Sequence, residues 1–447
     1  MTSLDGAARL LGRAGRGASL AARTVLPVDT NPVPADWTHV TKVDPEDAKK
    51  LPLLYPLYLR HTSAVSVGGS ADVTARNTEQ TFDLLAPASV PVFHEPSGPR
   101  HVTPRTRERA DLLAIPEVLN GDSESLVGQL GAGTEYIREE LVPDLLADAL
   151  PWLPGFAADG LADLATSWLL ADAVFEAYII QNPDSAAARE ANVTEADLLS
   201  PREAKQRAMA AERHLESELV YLEYSGTYGG EEAAETLAAI ADGLTWSRLW
   251  YGGGLDSREH AAAMLDAGAD AVVVGDAFHR IADEEADVCE RAVDALDADA
   301  SESAVREWIR ENAAVADSHA ASYLATIPWL ADPERRAERY LIATVRTWLR
   351  LRELADAGDG AVAGDRAGGR DRGEAEGRKA AADISTARLH LRRTLGPDAF
   401  DRLDSADAAL IRRYLGALLA ERNDISAHPG DLTDGATDHL ALSPQRR

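Results

Sequence analysis

The sequence predicts an α/β protein, a modified TIM (β/α)8 barrel with an additional C-terminal all-α extension. Three observations predict this fold. Short apolar runs rich in β-branched residues alternate with amphipathic helical segments, as in parallel sheets that helices cover. Several of these runs end in glycine or polar residues, where barrel proteins place their binding sites. Near residue 295 the strand pattern stops, and helical periodicity continues alone.

The strongest signal is the pair of strand–glycine–helix units at residues 248–295. Three consecutive glycines (252–254) end the first strand, and the apolar run Ala271–Val274 ends in Gly275 and Asp276. This pattern is typical of strands 7 and 8 of a (β/α)8 barrel, whose loops commonly bind phosphate. Either turn alone could be an ordinary connection, but the pair favours a phosphate site.

The remaining elements follow in chain order from alternation, apolar runs and turn residues. The six earlier strands are predicted, with their rim loops, at residues 39–43, 63–70, 90–97, 111–115, 175–180 and 219–226. Helices are predicted over most of 121–170, with breaks at Pro143 and at 152–155, and at residues 203–215, 231–241, 303–353, 384–395 and 406–421.

These elements predict three regions. Residues 1–35 read as a disordered N-terminal tail, and 36–295 as the barrel. Residues 296–447 form the helical extension, with a flexible Gly/Asp/Arg-rich stretch near 356–378.

The composition restricts the possible partners. The formal net charge is −29, with 74 acidic and 45 basic residues, of which only five are lysine. Such a surface suggests a halophilic protein and argues against nucleic-acid binding through a basic face. The single cysteine excludes an intramolecular disulfide. No apolar stretch approaches the roughly 20 residues of a membrane span, so we expect a cytoplasmic protein.

Several polar residues fall at predicted strand ends. Lys42 and Asp44 end the first strand, where a lysine can hold phosphate and an aspartate a cation such as Mg²⁺. Taken alone, these residues are better explained as a structural strand-end lysine and a turn-forming Asp-Pro. Tyr221 and Glu223 share one face of the sixth strand, where a carboxylate needs a partner or a chemical role. A structural pairing of Glu223 with an arginine is the alternative.

The ordered set of segments below resembles the geranylgeranylglyceryl phosphate synthase family, which includes the bacterial heptaprenylglyceryl phosphate synthases. The resemblance covers roughly residues 36–290. It is carried by His39–Pro45 (HVTKVDP), Val67–Ser70 (VGGS), Glu176–Tyr178 (EAY), Tyr221–Gly226 (YLEYSG), Tyr251–Gly254 (YGGG) and Val274–Asp276 (VGD).

The resemblance implies a Mg²⁺-dependent prenyltransferase that joins geranylgeranyl diphosphate to the C3 hydroxyl of sn-glycerol 1-phosphate. This is the first ether-bond step of archaeal membrane lipid synthesis. It implies that Asp44 and Ser70 hold Mg²⁺. Glycerol 1-phosphate would be held by Lys42, Tyr221, Leu222, Glu223, Tyr224, Ser225, Gly226, Gly254, Gly275 and Asp276.

In this interpretation the catalytic residues are Glu223 and Tyr221. Glu223 accepts the proton of the attacking hydroxyl, and the ring of Tyr221 or Tyr178 favours a developing allylic cation. A homo-oligomer, by default a dimer, is expected, with at most transient contact with a membrane surface.

The chain departs from the compact family pattern in its tail, its extension and an apparent insertion within 140–170. Apolar residues of the insertion either pack as helices or line a prenyl groove. Two alternative functions therefore stay open. One is a phosphate-binding barrel that acts on another small phosphorylated substrate. The other is a non-catalytic paralogue whose helical tail is an interaction module.

Overall fold

A computed structural model describes residues 29–69, 71–86, 88–143, 155–362 and 439–442. For the helical residues 155–159, 350, 351 and 353–362 it describes the backbone alone. Eight parallel strands close into a barrel in chain order, which confirms the predicted fold class. They are β1 His39–Val43, β2 Ala64–Val67, β3 Val92–His94, β4 Leu112–Val118, β5 Val174–Ile180, β6 Leu219–Tyr224, β7 Arg248–Gly253 and β8 Ala271–Val274.

Helices surround the barrel and continue beyond it. The α-helices are α1 Tyr55–Leu59, α2 Ala75–Leu85, α3 Pro104–Arg109, α4 Gln129–Tyr136, α5 Gly155–Asp172, α6 Ala186–Glu190, α7 Pro201–Ala210, α8 Gly230–Gly243, α9 Arg258–Asp266, α10 Asp276–Ala295, α11 Glu302–Asn312, α12 His319–Thr326 and α13 Pro333–Val362. Three π-helical turns occupy Glu124–Gly128, Ile137–Leu141 and Ala211–Leu215.

Strand alternation divides the core into an inner and an outer layer. Inside the barrel, Trp37 stacks on Phe93 with ring centroids 5.7 Å apart, and Trp250 packs against both. These aromatic rings form an apolar floor at the amino ends of the strands. The outward-facing residues pack against the helices instead. The polar side chains predicted at strand ends therefore lie at the opposite end of the barrel, its mouth.

The predicted disordered tail is corrected at its end. Residues 1–28 lie outside the described residues, but the chain is already packed from Asn31 onward. The Asn31 side chain donates to the carbonyls of Glu218 (2.8 Å) and Trp246 (3.0 Å), just before β6 and β7. Val33 is fully buried in the inner layer. Burial of Val33 and satisfaction of these strand-end carbonyls explain the order.

The helical extension packs on the barrel rather than standing apart from it. On the outer face of β1, the Thr41 hydroxyl is hydrogen-bonded to the Tyr323 hydroxyl of α12 at 2.7 Å. His39 bridges Thr62 and the Thr326 hydroxyl, at 2.9 and 3.0 Å. Helix α1, between β1 and β2, has only five residues and leaves part of β1 uncovered. Helix α12 covers that part.

Part of the predicted flexible stretch is helical. Helix α13 continues to Val362. The remainder of 356–378 and the predicted helices at 384–395 and 406–421 lie outside the described residues. No helix in the described ranges has both the length and the apolar character that crossing a membrane requires.

Residues 439–442 return to the barrel and form a strap on the loop after β1. Leu51 donates its backbone N–H to the carbonyl of His439 at 2.8 Å, and Leu440 pairs with Leu51 in a parallel bridge. Leu440 and Leu442 are buried. The strap therefore supports the loop that connects Asp44 to α1.

Tyr323 offers a test of how strongly the extension supports β1. We expect Tyr323→Ala to lower the free energy of unfolding by about 3–5 kcal/mol, because it removes a fully buried ring and leaves Thr41 unpaired. Tyr323→Phe keeps the ring, so the expected loss is about 1 kcal/mol. Urea unfolding measures both. Equal, near-zero losses would show that α12 packs loosely on β1.

Candidate active site

A cavity of about 940 Å³ opens at the carboxyl ends of the strands. It brings together most of the residues predicted for the site, although they come from four separate strand ends. Those that line it are Lys42, Asp44, Tyr221, Glu223, Ser225, Gly226, Gly254, Gly275 and Asp276.

Two predicted residues in the described part of the chain do not line the cavity. Leu222 and Tyr224 alternate with Tyr221 and Glu223 along β6, so their side chains face the outer layer. Tyr224 donates there to Glu232 at 3.2 Å. Only their backbone remains near the mouth. Ser70 lies outside the described residues.

An ion pair inside the mouth joins β1 to the end of β3. Lys42 Nζ lies 2.6 Å from Glu95 Oε1, and the other oxygen of Glu95 accepts from Ser66 at 2.7 Å. The Tyr178 hydroxyl also donates to Glu95. Burial alone would lower the pKa of Lys42, but Glu95, Glu223 and Asp44 outweigh it and raise that pKa. Lys42 is therefore a permanent cation in the mouth.

Two further carboxyl groups face this cation. Burial raises the pKa of Glu176 well above its usual value; Glu95 and Glu223 add to the rise and Lys42 opposes it. Neither oxygen of Glu176 has a hydrogen-bond partner. Burial therefore favours the neutral form of Glu176. Burial also raises the pKa of Glu223, to about 7, with Lys42 opposing that rise.

Glu223 is placed to exchange a proton. One of its oxygens accepts from Ser225, while Oε2 is buried without a hydrogen-bond partner. A pKa near 7 leaves a substantial fraction of the group ionised at neutral pH, which suits a general base. Among the described residues, the cation that acts on Glu223 is Lys42 rather than an arginine.

The rings of Tyr178 and Tyr221 stack beside these carboxyl groups, with centroids 4.6 Å apart. Gly252 lies opposite Glu223 in the β6–β7 register, and a Cβ atom there would overlap the Tyr221 hydroxyl. The first glycine of the run is therefore required by the position of Tyr221.

The other glycines allow the β6 and β7 loops to meet. A Cβ atom on Gly254 would lie 2.9 Å from the carbonyl carbon of Thr227, and Gly254 N–H donates to the Thr227 oxygen at 2.6 Å. Gly226 has φ +80°, a conformation that favours glycine. Helix α9 is capped by Ser257, whose hydroxyl accepts from the His260 N–H at 3.2 Å.

The turn after β8 carries a second set of charges. Helix α10 begins at Asp276, and Lys49 Nζ lies 2.6 Å from Asp276 Oδ1 and 3.7 Å from Asp44 Oδ2. Burial opposes the shift, but the Lys49 contact lowers the pKa of Asp276. His279 Nε2 accepts from the Asp44 N–H at 3.0 Å, which ties the loop after β1 to α10.

Asp44 could hold Mg²⁺ together with substrate oxygens. Its carboxylate lines the cavity and is largely buried. Within the described ranges no cluster of three or more His, Cys, Asp or Glu side chains could hold a metal by itself. Mg²⁺ often binds through one or two carboxylates and completes its shell with phosphates and water, so this single carboxylate fits such a shared site.

An apolar arm extends the cavity beyond the barrel interior. Leu113 and Ile115 lie on the outer face of β4, where Val102, Ile137 and Leu170 meet them. All five side chains line the cavity. The preceding helix α3 has only six residues. The π-helical turn at Ile137–Leu141 and helix α5 therefore pack on this face of β4 instead. The mouth thus combines a polar end with an apolar groove.

The predicted insertion contributes to this arm in part. Leu170 lines the groove and Leu169 packs beside it, whereas Trp168 is 63% exposed. Five further apolar residues of the predicted insertion lie outside the described residues, as does the side chain of Phe156: Leu145, Leu146, Leu150, Trp152 and Leu153.

Sequence reasoning missed three polar residues of the mouth: Glu95, Glu176 and Lys49. Glu95 immediately follows the third predicted strand, the same position that marked Lys42 and Asp44 near the first. Glu176 is a lone acid in an otherwise apolar strand, in phase with Tyr178. Lys49 follows no strand directly, so no strand-end position marked it in the sequence. It reaches the mouth because it lies in the loop between β1 and α1.

The fold and the site define a class: a (β/α)8 barrel whose mouth joins a charged pocket to an apolar groove. Comparison with known proteins is consistent with this class. The profile of the PcrB family matches residues 34–297. This chain belongs to the PcrB family.

Relatives in the family align with the barrel and little else of this chain. Geranylgeranylglyceryl phosphate synthase of Methanocella arvoryzae is 32% identical over 55% of this chain and 91% of its own length. The enzyme of that name from Halobacterium salinarum is 34% identical over 55% and 89%. Heptaprenylglyceryl phosphate synthase of Listeria welshimeri is 29% identical over 54% and 91%.

A solved structure of this kind is also similar. It is (S)-3-O-geranylgeranylglyceryl phosphate synthase from Thermoplasma acidophilum in complex with sn-glycerol-1-phosphate, at 22% identity and a TM-score of 0.39. The match covers 54% of this chain and 86% of that chain.

Gly252 can be tested directly. We expect Gly252→Ala to lower the free energy of unfolding by about 1–3 kcal/mol, because the added methyl must displace the Tyr221 hydroxyl. Gly160→Ala, in helix α5 with nothing within 4 Å of the new Cβ, is the control and should stabilise by up to about 1 kcal/mol. Thermal unfolding compares them. A neutral Gly252→Ala would contradict the close contact.

Proposed function

We propose that this protein joins a polyprenyl diphosphate, geranylgeranyl diphosphate in the first instance, to the C3 hydroxyl of sn-glycerol 1-phosphate. The observation that carries the proposal is the single cavity region where a charged mouth meets an apolar groove on β4. The three relatives described above are named geranylgeranylglyceryl or heptaprenylglyceryl phosphate synthase, which supports substrates of this class.

Glycerol phosphate would occupy the polar end. Lys42 supplies a permanent positive charge, and the turns at Gly254 and Gly275 allow close approach of a bulky anion. These local features are needed because the net charge of −29 repels anions over the whole surface.

Glu223 would act as the general base. The glycerol C3 oxygen attacks C1 of the prenyl donor and its proton moves to the carboxylate of Glu223. The new C–O bond forms as the bond from C1 to diphosphate breaks, and diphosphate leaves. The stacked pair Tyr178 and Tyr221 would face positive charge that develops on the allylic carbon.

Mg²⁺ would be held by Asp44, with Ser70 as a second ligand by resemblance. When bound, the ion supplies charge neutralisation of the leaving diphosphate. Lys42 and the glycine turns act independently of it, by binding and orienting the acceptor.

The apolar groove favours this proposal over the two alternatives. A barrel for a small sugar phosphate has no use for the apolar wall of Leu113, Ile115 and Leu170. A non-catalytic paralogue has no need of Glu223 with its pKa near 7. The dimer and the transient membrane contact stay predictions.

The role of Glu223 predicts a pH profile. Only the carboxylate accepts a proton, so kcat/KM should rise as pH increases through about 7. Glu223→Gln should lower kcat by about 10²–10⁴-fold. The measurement is prenyl transfer from radiolabelled donor in high-salt buffer with Mg²⁺.

The matched control is Glu232→Gln, which removes a carboxylate on the outer side of the same strand–helix unit. It should keep wild-type kcat and pH dependence. Equal activity of Glu223→Gln and wild type would exclude the base role, and absence of product from wild type would overturn the proposed function.

Asp44 has its own test. Asp44→Asn should raise the Mg²⁺ concentration required for half-maximal transfer by about tenfold or more, because the ion loses a charged ligand. Binding of glycerol 1-phosphate, measured by calorimetry without donor, should change much less. An unchanged Mg²⁺ requirement would remove Asp44 from the proposed metal site.

A further inference from the structure

Lys49 is the one cation of the described rim that bridges two acidic groups of the mouth. Its Nζ lies 2.6 Å from Asp276 Oδ1 and 3.7 Å from Asp44 Oδ2. All three side chains line the cavity. Lys49 therefore joins the loop after β1 to the start of α10 inside the mouth.

Asp276 creates an electrostatic problem that this pairing solves. It directly follows Gly275, in the turn proposed to receive phosphate, and a carboxylate in that wall repels an anion. At the first helical position a negative charge also offsets the positive end of the helix dipole, which an anion would otherwise use. The contact with Lys49 offsets part of the charge of Asp276 beside the backbone of this turn.

The lysine content of the chain supports a local role. Only five lysines occur among 45 basic residues. Two of the five, Lys42 and Lys49, line this cavity. A compact ammonium on a flexible stem can reach the carboxylates of both Asp276 and Asp44.

We propose that Lys49 is a positioning residue for the phosphate of glycerol phosphate, and that it acts by neutralising Asp276. The inference rests on the proposed function, since the anion is the one assigned there. Lys49 acts through Asp276 and does not itself need to contact the ligand. The proposal therefore predicts that removing the charge of Asp276 restores the affinity for glycerol phosphate that is lost with Lys49.

The experiment measures binding of sn-glycerol 1-phosphate by calorimetry, without prenyl donor, to the full-length chain. We expect Lys49→Met to raise Kd about tenfold, because an unpaired carboxylate now faces the phosphate. Asp276→Asn alone should bind about threefold more tightly, since it removes a negative charge from the wall and leaves Lys49 with Asp44 as its remaining ion-pair partner. The double variant should recover at least wild-type affinity.

Turnover adds a second readout. With both substrates, Lys49→Met should raise KM for glycerol 1-phosphate and leave KM for the prenyl donor and kcat within about twofold. A lysine that merely held the loop in place would change all three. Lys205→Met, which breaks an ion pair with Asp242 between α7 and α8, is the matched control and should change none.

The outcomes separate the inference from the proposed function. If wild type binds glycerol 1-phosphate but transfers no prenyl group, the proposed function is overturned. The inference about Lys49 is then decided by the binding affinities of the variants. Unchanged affinity of Lys49→Met would overturn the inference. A double variant as weak as Lys49→Met would overturn it too, because Lys49 would then act on the ligand directly. Failure of wild type to bind glycerol 1-phosphate would also overturn it.

Discussion

The ion pair between Lys42 and Glu95 is the interaction on which the mouth depends. It places a permanent cation inside a barrel whose chain is strongly acidic, and Glu95 is fixed in turn by Ser66 and Tyr178. Burial is the largest cause that raises the pKa of both Glu176 and Glu223, the latter to about 7. Lys42 opposes the rise in both groups, and Glu95 adds to it. The two members of the ion pair therefore act with opposite signs on the remaining acids of the site.

Much of the barrel could be predicted from the sequence, since each strand carries its own local signal. Ala271–Val274 was predicted with the bounds observed, and β6 with its inward pair Tyr221 and Glu223. The outer position of Leu222 and Tyr224 also follows from strand alternation. Long-range contacts could not be predicted in this way. The docking of Tyr323 on Thr41 joins residues 282 apart, and nothing local to either residue indicates it.

The same difference applies to the site. Residues at strand ends were predictable because barrel topology brings those ends together whatever the loops do. The placement of Lys49 in the site depends instead on the path of the loop after β1. The placement of Glu176 depends on which face of β5 points into the barrel. The apolar groove was harder still. The groove is formed because helix α3 is too short to cover the outer face of β4. No sequence motif marks a surface that a helix fails to cover.

The strap formed by residues 439–442 has a consequence for biosynthesis. Its partner, Leu51, lies in the loop that carries Lys49, and the two segments are among the most distant in the chain. Chains emerge from the ribosome amino end first, and domains begin to fold as they emerge. The barrel strands and α12 are therefore available long before the strap. The first loop of the mouth stays without this support until translation has passed residue 442, so a nascent barrel can close before its mouth is complete.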